Sequence, residues 1–423
     1  MIKKFKNVFL IKELRSKLLF IIFVLVVFRL AANIPLPGVD MAQLNQMMES
    51  NSLLGMLNMF SGGGLSSISI VLLGVGPYIT ASIIMQLLTM ISPKMEQMYK
   101  EEGEAGRNKF NMITRLLTVP LAIMQTFAMI SLLKSNGIFH DLQIFNLIGV
   151  VITATAGTIF LMWLGEIITE KGLGNGVSIL IFAGIVSSLP TTLMQLFQTY
   201  DSSQLFTYVA FLGVIVVTIL GVVFITEGQR IIPISYARRM SGGAQYGGSK
   251  THLPLKVNQA GVIPIIFAVS LVMFPRLIGE FMGNSQNEMV HNFGVGLVNF
   301  FANNLYYGII YFSLVAMFTY FYTAVVFDPQ KIADNLQRQG GYIQGIRPGK
   351  ETIEFLGKIV NRITLAGAIF LGIIAILPIV VQSLANMPSL SVGGASVLIV
   401  VSVVIEMIKQ IDSQLMMRDY DRL

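Results

Sequence analysis

Ten apolar runs of roughly 20 residues each constrain this 423-residue chain more than any other feature. They lie near positions 18–36, 75–90, 116–133, 145–164 and 177–197, then 206–225, 260–274, 307–327, 363–384 and 393–408. A helix of about 20 residues crosses the hydrocarbon of a bilayer, about 30 Å thick. Backbone amides cannot stay unpaired there, so runs of this length read as helices, and the alternation of a membrane β-barrel is absent. Charged residues make up 12% of the chain, about half the usual soluble share, which argues against several soluble domains. The expectation is an all-α polytopic membrane protein with ten transmembrane helices. The absence of cysteine excludes disulfides, thiolate metal sites and a cysteine nucleophile. Residues 18–28 could pass for a signal-peptide core, but no small-residue cleavage site follows, so no cleavable leader is expected.

Basic residues set the orientation. Lys3, Lys4, Lys6, Lys12, Arg15 and Lys17 precede the first run. Placing that tail in the cytoplasm puts every second loop there as well, and only Arg29, Lys134 and Arg276 of the 29 Lys and Arg then fall elsewhere. Both termini are therefore expected on the cytoplasmic side.

Glycine and proline mark two of the runs. Ser61-Gly62-Gly63-Gly64 is followed by the short apolar piece 65–73 and by Gly74-Val75-Gly76-Pro77. That piece is too short to cross a bilayer and predicts a re-entrant half-helix on the outer side, which only protein or a water-filled cavity could surround. The seventh run carries Gly261-Val262-Ile263-Pro264 near its cytoplasmic start. The second and seventh runs correspond if the chain is two five-helix halves. Five is odd, so the halves would be inverted relative to each other, with a path at their interface.

Few polar groups could line such a path. The ionisable residues within the runs are Arg29 and, near the inner end of the last, Glu406; Arg115 and Glu166 sit at edges, where snorkelling accounts for them. No carboxylate lies mid-run to bind a driving ion or to serve as a buried acid or base. His140, His252 and His291 all lie outside the runs, and Gly172–Gly176 lacks the Lys-Ser/Thr of a phosphate loop. An enzyme is therefore not expected, nor is a cofactor or metal. Val75 and Ile79, and again Val177 and Ile181, share a helix face one turn apart. A ring of such side chains could seal a pore by excluding water, and the same pattern equally suits plain core or lipid contact.

Two cytoplasmic loops, at 227–257 and 328–362, are about 30 and 35 residues long, beyond what neighbouring helices require. The first carries Arg230, Arg238, Arg239, Lys250 and Lys256; the second carries Lys331, Arg338, Arg347, Lys350, Lys358 and Arg362. Their chemistry suits an RNA phosphate backbone or an acidic protein face, and equally anionic lipid.

Several longer motifs are specific. Phe60-Ser-Gly-Gly-Gly64, Pro77-Tyr-Ile-Thr-Ala-Ser-Ile-Ile-Met-Gln-Leu-Leu88 and Phe160-Leu-Met-Trp-Leu-Gly-Glu-Ile-Ile-Thr-Glu170 resemble the SecY/Sec61-alpha family. So do Gly172-Leu-Gly-Asn-Gly-Val-Ser178, Thr251-His-Leu-Pro-Leu-Lys-Val-Asn-Gln-Ala-Gly-Val-Ile-Pro264 and Gly345-Ile-Arg-Pro-Gly349, in order along positions 18–408. Members of that family are the central subunits of protein-conducting channels.

The resemblance implies a channel that passes unfolded preproteins across the bacterial cytoplasmic membrane and releases transmembrane helices sideways. Its halves would be 18–200 and 201–408, between cytoplasmic tails 1–17 and 409–423. By family position Val75, Ile79, Val177, Ile181, Ile266 and Ile399 form the pore ring, with Val at 75 and 177 where the family more often has Ile. Gly63, Gly64, Leu65, Ser66, Ile68 and Ile70 fall in the plug, and Thr80, Ile83 and Phe274 in the lateral gate. Arg230, Arg238, Arg239, Lys250, Arg347 and Lys350 would dock the motor ATPase SecA or the ribosome, with Arg347 foremost. SecE and SecG are implied as partners, YidC and SecDF as further candidates, with preproteins, signal peptides and membrane lipid as what the channel handles. An inverted-repeat solute transporter is the alternative on pattern alone.

Overall fold

The computed structural model describes residues 11–36, 63–65, 67–135, 144–198, 205–236, 239–241, 244–246, 250–283, 285, 287–385 and 394–420. Each of the ten apolar runs falls on a helix. In chain order the helices that carry them are α1 (Lys12–Ala32), α2 (Gly76–Ile91), α4 (Gly103–Ser135), α5 (Ile144–Lys171), α6 (Gly176–Gln198) and α7 (Leu205–Glu227), followed by α8 (Ile263–Gly283), α10 (Asn304–Val326), α12 (Lys350–Ala385) and α13 (Gly394–Tyr420). Among the described residues, three further helices lie between them: α3 (Pro93–Lys100), α9 (Glu288–Ala302) and α11 (Pro329–Arg338).

The burial pattern is that of a chain solvated by lipid. On α1, Leu14, Ile21, Val24 and Phe28 form a buried stripe, while Leu19, Phe23, Val26 and Leu30 face outward. The outer face of α7 exposes Val217, Leu220 and Phe224. Apolar side chains on both sides of a helix suit one that is covered by protein on one face and by hydrocarbon on the other. The stretches Gly103–Ser131, Ile144–Lys171, Asn304–Arg338 and Lys350–Leu377 are long and apolar enough to cross a membrane, and Gly76–Ile91, Gly176–Pro190, Phe211–Glu227 and Ile263–Arg276 are shorter apolar helices. With 16 residues, α2 is about 24 Å long, less than a bilayer core.

Ahead of α2 lie the described residues 63–65 and 67–75, and here the expectation of a half-helix is corrected. The segment is a succession of turns closed by three-residue bonds, Ile68 to Leu65, Leu72 to Ser69 and Gly74 to Val71. A short bridge competes with helix formation: the Leu36 amide donates to the Ile68 carbonyl at 2.8 Å, and the Ile70 amide to the Ile34 carbonyl at 3.0 Å. Leu65, Ile68 and Leu72 bury themselves against Met129, Ile130 and Leu133 of α4 and Val150 and Ala154 of α5.

The glycine–proline motifs are helix starts rather than interruptions. Pro77 and Pro264 occupy the second positions of α2 and α8, where a missing amide costs nothing.

The two long basic loops, 227–257 and 328–362, are not independent either. Strands β1 (Gln229–Tyr236) and β4 (Lys250–Lys256) pair antiparallel, and β5 (Gly341–Ile343) joins the other edge of β1. Between β1 and β4, β2 (Arg239–Ser241) and β3 (Ala244–Tyr246) form a second small hairpin. Ile232, Leu255 and Ile343 of the larger sheet pack on Leu356, Ile359 and Val360, so the N-terminal end of α12 is the sheet's floor. That helix already begins at Lys350, within what the sequence reading took as loop.

Helix α8 packs against α2 and α4, and α13 packs against α6. Both contacts join the first six helices to later ones.

Candidate functional site

Four helices bring the six ring residues into one apolar cluster. Val75 and Ile79 come from the start of α2, Ile181 from α6, Ile266 from α8 and Ile399 from α13, each nearly fully buried. Val177, half-buried at the start of α6, packs against the same cluster. Local sequence places each of them. Gly174, at φ 86°, turns the chain after α5, and the Asn175 side chain caps α6 by accepting from the Val177 and Ser178 amides at 3.1 and 3.2 Å. Val71 belongs to this cluster too, which joins the turn segment to the ring. All six residues are β-branched, stiff at χ1 and without polar side-chain atoms.

The turn segment packs beside this cluster, Val71 being common to both. Gly63 has φ 84° and Gly64 and Leu65 are buried; Ile68 is fully buried and Ile70 half-buried. Ser66 lies outside the described residues. Arg29, singled out by the sequence as a charge within a run, sits in the last turn of α1 with its Nη1 3.0 Å from where a Cβ on Gly63 would stand.

At the α2/α4/α8 seam, Ile83 is buried in the ring's cluster and Phe274 is half-buried on α8. The Thr80 hydroxyl accepts from Gln125 Nε2 of α4 at 3.3 Å, a neighbour that the sequence reading did not name. Nearby, Lys331 Nζ of α11 donates to the Lys100 carbonyl of α3 at 3.5 Å. Arg115 and Glu166, read from sequence as snorkelling singly, instead form an ion pair at 2.6 Å between α4 and α5. No local signal links two residues 51 apart on different runs.

Of the basic loop residues, Arg230 is exposed on β1, Arg239 falls in β2 and Lys250 opens β4. Arg238 lies outside the described residues. Arg347 is held at the tip of a tight turn between Gly345 (φ 80°) and Gly349 (φ 97°). Its amide donates to Glu351 Oε2 at 3.3 Å, and its carbonyl accepts from Thr352 Oγ1 at 2.9 Å. Both partners belong to the first turn of α12, so the backbone is fixed while the guanidinium stays exposed beside Lys350.

With this geometry in hand, relatives identify the architecture. The SecY family model matches residues 69–408. A protein translocase subunit SecY of Corynebacterium glutamicum is 42% identical over 433 residues, covering 97% of each chain. A SecY of Streptomyces galbus is 42% identical over 442 residues, covering all of this chain and 99% of that one. Among solved structures, one described as a protein-conducting channel superposes with a TM-score of 0.64 at 20% identity, covering 93% of this chain and 90% of its own. Another, on the plug domain of the SecY protein, gives 0.63 at 22% identity with the same coverage. Sec61 in a canine ribosome–channel complex gives 0.60 at 20% identity, again over 93% and 90%. The solute-transporter alternative finds no support in these matches, and the chain, a polytopic helical membrane protein, belongs to the SecY family of protein translocase subunits.

Proposed function

We propose that this multi-pass membrane protein is the pore of a bacterial protein translocase, in which an extended preprotein threads between the four helices that carry Val75, Ile79, Val177, Ile181, Ile266 and Ile399. The observation that carries this reading is the convergence of those residues in one buried cluster together with Val71. At rest the ring grips itself and the segment around Gly63–Ile70 covers its outer side as a plug. A translocating chain replaces the contacts between β-branched side chains with contacts to itself, so the seal persists during passage.

The seam where α8 meets α2 and α4 is the lateral gate, through which signal peptides and membrane helices reach lipid. Helices α1–α6 form one half and α7–α13 the inverted other, both termini facing the cytoplasm across the inner membrane. The exposed basic residues Arg230, Arg347 and Lys350 dock SecA or the ribosome, and SecE and SecG complete the assembly. The family is one of channels and not enzymes, so the driving energy comes from the docked motor or from chain elongation.

The test is reconstitution of the purified protein with SecE, SecA and ATP, scored by protease protection of a preprotein inside vesicles. Protection that needs both SecA and ATP supports the reading, and absence of protection under those conditions overturns it.

A further inference from the structure

We propose that Gly157 of α5 is the seat of the plug, a bare patch of helix on which the plug's backbone rests directly. The inference rests on the plug reading above and adds the residue that positions it.

The plug is held from two sides through its main chain. On one side, Leu36 and Ile34 exchange amide and carbonyl bonds with Ile68 and Ile70, and Ser67 Oγ donates to the Ala32 carbonyl at 2.7 Å. On the other side stands Gly157. A Cβ built there would run into the Ile70 carbonyl, with the Val71 Cα just behind it at 3.3 Å. The obstructing atoms are backbone, so no rotamer change can make room. Gly157 is thus defined by close approach of a second main chain, one of the few circumstances that demand glycine inside a helix.

The surroundings make this contact decisive. Ile68 is a buried β-branched residue at φ 37°, a conformation that costs energy and persists only where neighbours impose it. The plug therefore does not hold its own shape; α5 and residues 34–36 hold it. Ala154 and Thr158 flank the seat, both fully buried. Val71, next to the seated residue, belongs to the ring's cluster, so a displacement at Gly157 reaches the constriction within one residue.

The experiment uses the full chain in reconstituted bilayers and exploits the absence of native cysteine. Gly157→Ala and Gly157→Val are compared with wild type for resting ion conductance. In parallel, Ile70→Cys is introduced into each, and its modification by a membrane-impermeant maleimide added to the outer face is timed. Gly149→Val on the same helix, where an added Cβ meets nothing within 4 Å, controls for valine in α5. Ile399→Asn controls for an open ring. The seat predicts a several-fold rise in conductance and labelling rate for Gly157→Val, a smaller rise for Gly157→Ala and none for Gly149→Val. Wild-type conductance and labelling in Gly157→Val, while Ile399→Asn leaks, would overturn the seat and leave the channel standing. If Ile399→Asn is also silent, the ring assignment falls, and the labelling rate of Ile70→Cys in Gly157→Val decides the seat by itself. Should Gly157→Val not insert, the labelling rate of Gly157→Ala decides the question by the same criterion.

Discussion

Ile79 of α2 and Ile266 of α8 occupy equivalent places at two helix starts. Each stands five residues after a glycine of positive φ, Gly74 at 57° and Gly261 at 63°. Each donates its amide to a valine carbonyl one turn back, Val75 at 3.1 Å and Val262 at 3.2 Å. A proline lies between in both, and both isoleucines point into the same buried cluster. Repetition of one local device on the second and seventh runs supports a chain of two related halves, with the ring on the axis between them.

The ring yields the first prediction. Ile266→Asn or Ile399→Asn puts an amide among the buried apolar side chains of the cluster, so a constriction there would wet and open more readily. The expected result in planar bilayers is raised ion leakage, together with translocation of preproteins that carry weakened signal sequences. Conductance equal to wild type in both variants would return these residues to an ordinary core role.

Arg347→Glu is expected to abolish SecA-driven translocation while leaving the protein inserted and folded. The turn's backbone bonds to Glu351 and Thr352 do not involve the guanidinium, so its geometry survives the change. Reversing the charge at a close contact introduces repulsion on the order of several kcal/mol. A translocation assay paired with SecA binding to the reconstituted vesicles checks both halves of the claim. Unchanged transport would remove Arg347 from the docking surface.

How far the sequence could be read depended on the range of each interaction. The helices were legible because an apolar run of 20 residues has one solution in lipid, whatever its neighbours. Ring positions were legible only as Val75/Ile79 and Val177/Ile181 pairs on separate helices; their convergence is a long-range event. The turns at 63–75 were not, because 65–73 reads as apolar in either conformation, and the bridge to Ile34 and Leu36 decides between them. The three-stranded sheet is illegible for the same reason: β5 pairs with β1 from more than 100 residues away. Helix α9 did leave a local sign, an Asn287 whose side chain caps it at the Met289 amide. Its 15 residues fall short of a span and so drew no attention.

That helix supports a stability prediction. It packs on α8 through glycines: a Cβ on Gly294 would collide with backbone at Gly279, Met282 and Gly283. Gly294→Val forces the two helices apart, at a cost of about 1–3 kcal/mol for overpacking a close contact. Gly296→Val, two residues on, meets nothing within 4 Å and should be near neutral. Thermal unfolding of the purified variants in detergent checks the difference, and equal midpoints would show that the approach of α9 to α8 is looser than its glycines imply.

The lateral gate offers the last prediction, and the cysteine-free background makes it clean. Helices α2 and α8 pack together in the structure, with Thr80 half-buried on one and Phe274 on the other. A disulfide requires Cα atoms within about 7 Å, so Thr80→Cys with Phe274→Cys oxidises only where those two faces meet. The oxidised double variant should lose translocation and regain it on reduction, because a signal peptide cannot part helices that are covalently joined. Thr80→Cys alone gives up the oxygen that accepts from Gln125, a loss of about 1 kcal/mol at most, so both single variants should remain active. Efficient bond formation with full transport would disprove sideways opening at this seam. Failure of the bond to form would place Thr80 on the face that Gln125 already marks, turned toward α4 and away from α8.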